Sequence, residues 1–275
     1  MAEKRQRAVK TITVASGKGG VGKTNIVANL AIALRQMGRE VMIFDADLGL
    51  SNIDVVLNLS PKYNIGHVLS GERTLAEVIV EGPHGIKILP ATSGVQEITS
   101  LDEFQQMMLV EAFDSYEGDI DVLLVDSAAG ISANVAFFCS ASQEIVVVTS
   151  PEPTALTDAY ALIKVLFKNY QEKRFRVIVN SVRDQAEAVE VFRKLSMAAE
   201  RFLSISLDYL GHIPFDESIR KAVRMQKAVI DKFPLSPSAR QIKEIAARLD
   251  SEAIGGEKGS IQFFWNALLK GRTGG

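Results

Sequence analysis

A doubly wound α/β domain, its mostly parallel sheet covered by helices on both faces, is the expected architecture of this chain. Apolar runs recur along the 275 residues at 11–16 (TITVAS), 41–46 (VMIFDA), 86–91 (IKILPA), 121–127 (DVLLVDS), 144–150 (EIVVVTS), 175–181 (FRVIVNS) and 208–214 (DYLGHIP). Most are near-continuous rather than alternating, as in parallel strands buried on both faces. Helix-length segments separate them, at 23–37, 102–116, 154–170, 185–201, 216–230 and 237–250. Strands alternating with helices imply a parallel sheet whose ligands bind beyond the C-terminal ends of the strands.

Composition sets the outer bounds. With 47% hydrophobic and 23% charged residues, the chain can bury a sizeable core and is not globally disordered. Lys plus Arg number 31 against 33 for Asp plus Glu, a net charge of -2. That balance argues against a protein that coats nucleic acid, so no direct nucleic-acid contact is expected. The single cysteine, Cys139 in FFCSAS, excludes an internal disulfide framework and reads as a small core residue. His67, His84 and His212 lack metal-ligand spacing. No apolar run is long enough to span a bilayer, and the basic start MAEKRQRAVK lacks the apolar stretch of a signal peptide. A cytoplasmic location is expected.

The first strand leads into GKGGVGKT at 17–24, which opens the first long helix. This is G-x-x-x-x-G-K-[ST] in the strand–loop–helix context of a P-loop. Gly17, Gly19, Gly20 and Gly22 let backbone N–H groups approach phosphates, and Lys18, Val21 and Asn25 belong to the same cradle. Lys23 is expected on the β- and γ-phosphates, with the Thr24 hydroxyl helping to hold Mg²⁺. The second run ends in DADLGLSNID (45–54), which places Asp45 at a strand end. The fourth, DVLLVDSAAG (121–130), is an apolar strand closing on Asp126, the Walker B pattern, with Asp126 expected near Mg²⁺ and Gly130 free to offer its amide to the γ-phosphate.

The organisation expected is a short basic extension (1–8), a P-loop ATPase domain (9–250), a flexible linker SEAIGGEKGS (251–260) and a tail (261–275). In the tail Ile261, Phe264, Trp265, Leu268 and Leu269 fall at i, i+3, i+4, i+7 and i+8, on one helical face, with Lys270 beyond. An aromatic-rich apolar face with basic ends is the pattern of an interfacial membrane anchor; a terminal helix packed on its own domain is the plainer alternative. Burying five such side chains gains about 5–8 kcal/mol gross, and ordering roughly ten residues costs a similar amount. One tail is marginal, whereas two tails on a dimer gain by avidity.

With Lys18 inside the loop, KGGVGKT resembles the deviant Walker A family, KGGxGK[ST], which includes the MinD, ParA and nitrogenase iron-protein ATPases. That resemblance implies ATP and Mg²⁺ as ligands and a nucleotide-sandwich homodimer in which Lys18 reaches the partner's phosphates, like an arginine finger. It further implies that Asp47 positions the attacking water, that Asp45 supports the magnesium shell, and that Asn180 with Ile213-Pro214-Phe215-Asp216 surrounds adenine. The tail resembles the targeting helix of MinD-type proteins, which implies reversible attachment to the cytoplasmic face of the inner membrane. DADLGLSNIDVVL, SPEPTALTDAYALIKVL, RFRVIVNSVR and GHIPFDESIRKAVRMQKAV look closer to the FlhG (FleN, YlxH) flagellar-number regulators than to cell-division MinD. For that group the implied partners are the GTPase FlhF, flagellar switch or C-ring proteins and, in some bacteria, a flagellar transcription activator. MAEKRQRAVK does not match the DQAxxLR motif that many FlhG proteins carry, so the resemblance does not extend to stimulation of FlhF by that route. A MinD-type division-site regulator, a DNA-binding ParA-type partition ATPase and a metabolic P-loop enzyme are the other readings.

Overall fold

The structure is a computed structural model that describes residues 9–49, 52–92 and 101–251. Its elements are β1 (Lys10–Ser16), α1 (Lys23–Gln36), β2 (Val41–Ala46), α2 (Ile53–Leu57), α3 (Ile65–Leu69), α4 (Leu75–Val78), β3 (Val80–Glu81), β4 (Lys87–Leu89), α5 (Glu103–Asp114), β5 (Val122–Ala129), α6 (Ala133–Ala141), β6 (Glu144–Thr149), α7 (Pro153–Tyr170), β7 (Arg176–Val182), α8 (Gln185–Leu203), β8 (Asp208–Pro214), α9 (Glu217–Arg224), α10 (Val229–Lys232) and α11 (Pro237–Ser251). The extension 1–8, the linker beyond Ser251 and the proposed membrane residues Ile261, Phe264, Trp265, Leu268, Leu269 and Lys270 lie outside the described residues.

The strands form one sheet in the order β3-β4-β2-β5-β1-β6-β7-β8. Every pair is parallel except β3 with β4. The expected sheet is therefore present, extended by a two-residue antiparallel edge strand too short to show periodicity. Alternate residues of each central strand enter opposite cores, which is why the runs read as continuous apolar sequence. Ile12, Val14, Ile43, Leu124, Val146 and Ile178 pack with α1, α10 and α11. On the other face Phe44, Leu123 and Val125 pack with α5 and α6, while Ala15, Val147 and Val177 pack with α6, α7 and α8.

The strands' C-terminal ends carry the loops that matter for function. β1 is central, and the chain winds outward from it in both directions, so the loop after β1 occupies the crevice at the topological switch point. The helix that follows is rich in Ala and Leu and almost wholly buried. It stops at Gly38, whose φ of 89° permits the Arg39 amide to bond back to the Leu34 carbonyl.

The single helix expected over 216–230 is instead two. After Arg224 the chain makes the same kind of stop, with Gln226 at φ 51° and the Lys227 amide donated to the Ala222 carbonyl. Ala228, Val229 and Ile230 then turn inward and are buried. The short helices α2, α3 and α4 and the apolar α6 are further additions to the sequence reading. The first three are too brief for a helical period, and α6 is apolar nearly all round.

Candidate nucleotide-binding site

The loop between β1 and α1 is shaped by close approaches that only glycine permits. A Cβ on Gly17 would stand 2.1 Å from the Asp158 carbonyl oxygen, inside the backbone of α7. A Cβ on Gly22 would stand 2.4 Å from the Asn180 Nδ2, and Gly22 also holds φ 92°. Gly22 is the N-cap of α1 and no side chain caps that terminus, so its first amides face the loop. Gly19 and Gly20 are exposed at the rim. Ser16 Oγ donates to the Lys18 carbonyl at 3.1 Å, and Asn180 Nδ2 donates to the Val21 carbonyl at 2.7 Å.

Beneath the loop three charged groups meet in the core. Lys23 Nζ lies 2.5 Å from Asp126 Oδ1, and both side chains are buried. Asp45 and Asp126 are register partners on adjacent strands. Burial pushes the Asp45 carboxyl up to about 7, with Asp126 adding to the rise and the amides of Asn52, Ile53 and Asp47 opposing it. Those amides lie 3.1, 3.3 and 3.2 Å from its oxygens, so Asp45 also organises the loop after β2. Burial likewise raises Asp126, opposed by Lys23 and Thr24. Asp126 Oδ2 is buried without a hydrogen-bond partner among the described residues.

This arrangement fits a magnesium-bound nucleotide on structural grounds. An uncapped helix terminus, a glycine loop and a buried lysine present donors to phosphate, and Asp126, which keeps one orphaned oxygen, is hydrogen-bonded to the Lys23 and Thr24 side chains of that helix's first turn. Asp47 and Asn25 are half-buried nearby, on the loop after β2 and in the first turn of α1.

Some residues singled out from sequence have other employment here. The Lys18 ammonium is 2.6 Å from Glu152 Oε2 and 3.0 Å from Thr154 Oγ1 of its own chain. The Gly130 amide donates to the Ser16 carbonyl at 2.9 Å, so a phosphate contact from it requires that bond to open. Asn180 stands under the P-loop as its brace. Pro214 closes β8, and the Asp216 carboxylate caps α9 through the Ser218 amide at 2.8 Å and clasps Ser238 through its hydroxyl at 2.7 Å. Glu152, Thr154 and the Asp158 backbone were not singled out from sequence. The available signal was that SPEPTALT follows β6 directly, at the same end of the sheet as the P-loop.

Residues 7–250 match the family described as ParA, NUBPL iron-transfer P-loop NTPase. The chain is 44% identical over 263 residues to the antiactivator FleN of Pseudomonas aeruginosa, covering 95% of this chain and 94% of that protein. It is 36% identical to the flagellum site-determining protein YlxH of Helicobacter pylori, covering 95% and 90% of the two chains. Among solved structures, the septum site-determining protein MinD of Pyrococcus horikoshii, complexed with Mg-ADP, superposes with a TM-score of 0.73 at 27% identity, covering 88% of this chain and 96% of that one. The family match over residues 7–250 and the identity to these relatives over nearly the whole chain show that it belongs to the ParA/MinD family of P-loop NTPases, in the group that includes FleN and YlxH.

Proposed function

We propose that this protein is a slow, dimerisation-dependent ATPase that acts as a membrane-associated switch setting flagellar number and placement. The observation that carries the reading is the 44% identity to an antiactivator FleN, which runs through nearly the whole of both chains. The site supplies what such a switch needs. Lys23 and the α1 amides bind the phosphates; Thr24, Asp126 and Asp45 hold the magnesium ion or its waters. Magnesium, when bound, neutralises charge that develops on the phosphoryl oxygens. Asp47 orients the attacking water, and Lys18 exchanges Glu152 for the phosphates of a second copy. The Gly130 amide serves the γ-phosphate, and Asn180, Pro214 and Asp216 border the base.

ATP-bound dimers present two tails, and the apolar stripe from Ile261 to Leu269 then holds the protein at the inner-membrane surface by avidity. FlhF, C-ring proteins or a flagellar transcription activator read that state. The relatives' names, an antiactivator and a site-determining protein, support this class of partner.

Counting flagella by electron microscopy in a strain deleted for this protein tests the reading. Altered number or placement with normal division is the expected result. Unchanged flagella with minicells would move the assignment to division-site control, and unchanged flagella with anucleate cells to partition. Sedimentation with lipid vesicles, with ATP and with ADP, should show binding in ATP that disappears when residues 258–275 are removed.

A further inference from the structure

The outer face of α9 has no partner among the described residues, and its composition is unlike an ordinary solvated helix. Ala222 is the single fully buried residue of α9. Arg220, Val223 and Arg224 fall at i, i+3 and i+4 on its exposed side, and Met225 and Lys227 follow on the exposed turn. From Glu217 to Lys227 four cations stand against one carboxylate, and that carboxylate is 3.4 Å from Arg220. The same face gathers large apolar groups between its charges: Val223 is 42% exposed, Met225 51% and Phe215 52%. Arg220 is held over the Phe215 ring at 4.9 Å, which fixes one cation in place.

The face is also anchored to the nucleotide site. Gln226, in a left-handed backbone conformation, donates its side-chain amide to the Val55 carbonyl at 3.0 Å. Val55 is 58% exposed and belongs to α2, whose first amides are held by Asp45. The exposed patch therefore begins one hydrogen bond from the loop that Asp45 organises.

We propose that α9, the turn after it and Val55 form a docking site for an acidic amphipathic segment of a partner protein. Cations interleaved with apolar side chains over about 12 Å of helix match a segment that alternates carboxylates with apolar residues. A bilayer or a nucleic-acid backbone fits less well: the face is one eight-residue helix and the turn after it, and Glu217 at its start interrupts the run of cations. The partner is recognised by charge at the rim and by Phe215, Val223 and Met225 between the charges.

The test uses the full chain and a labelled model peptide helix bearing a leucine stripe flanked by glutamates, with a leucine–lysine helix as control. Saturable binding of the glutamate peptide is expected, with amide shifts in nuclear magnetic resonance centred on Val55, Val223 and Arg224. The double variant Arg224→Glu, Lys227→Glu should weaken binding by at least about tenfold, and Val223→Ser should weaken it without introducing charge. Both variants should keep the wild-type melting temperature, because the altered side chains are exposed. Absence of saturable binding, equal binding of the lysine peptide, or shifts centred elsewhere would overturn the proposal. So would a charge-reversed variant that keeps the peptide but loses phosphatidylglycerol vesicles or duplex DNA, which would assign the face to lipid or nucleic acid.

Discussion

Lys18 and Glu152 form an ion pair within one chain, 2.6 Å from ammonium to carboxylate, at the rim of the P-loop. With the two side chains 37% and 66% exposed, solvent screening limits the pair to about 1 kcal/mol or less. So weak a tie holds Lys18 over its own loop without preventing it from leaving for a stronger anion. On the proposed trans role, replacing it by alanine should lower ATP turnover about a hundredfold or more, because positive charge is then missing from the transition state. Fluorescent-nucleotide titration of Lys18→Ala should still detect binding. Full turnover and full dimerisation in that variant would show that Lys18 does not act in trans.

Gly17 should tolerate no side chain. Its missing Cβ would overlap the Asp158 carbonyl, which belongs to helix backbone and cannot rotate away. Gly17→Ala should cost about 1–3 kcal/mol in denaturant unfolding by overpacking and should weaken nucleotide binding as the loop is displaced from α7. An unchanged midpoint would mean that α7 shifts freely.

Asn180 braces the loop from below through its bond to the Val21 carbonyl. Removing the donor in Asn180→Ala leaves that carbonyl short of a partner, at a cost of about 1–3 kcal/mol. If the brace is its main task, affinities for ATP and GTP should fall by similar factors. A selective loss of ATP would show instead that Asn180 reads the base.

The Asp216 clasp should be visible in acid. Burial alone would raise its carboxyl, but donors from Ser238 and Ser218 outweigh burial and hold it at about 2. Because the folded value lies below the unfolded one, the ionised clasp stabilises the fold above about pH 4 and is lost as pH falls through about 2. Asp216→Ala should cost about 0.5–2 kcal/mol at neutral pH, as for a lost helix cap. The difference from wild type should shrink across that acid window, read as unfolding midpoints at a series of pH values. A constant difference would remove the assigned role of its charge.

The P-loop and the strand pattern were legible because each is a local signal, although β5 runs on to Ala129, three residues beyond the Asp126 on which the apolar run closes. Glycine spacing announces tight backbone, and an apolar run announces two buried faces. The division of α9 from α10 was not legible, because the basic and apolar spacing of 216–230 continues through the stop. That stop depends on Gln226 adopting a conformation its residue type does not favour, with Ala228, Val229 and Ile230 drawn to the core.

By itself the sequence determined the fold class and the phosphate loop and marked Lys23, Asp45 and Asp126 as the charged residues at its core, since strand periodicity and a contiguous motif are encoded within a few residues of one another. Only the tertiary structure decided which distant groups meet them. Sheet order sets Asp45 beside Asp126, the end of β6 brings Glu152 to Lys18, and β7 carries Asn180 under Val21. Those encounters depend on strand neighbours far apart in the chain, and no local pattern records which strands will pair.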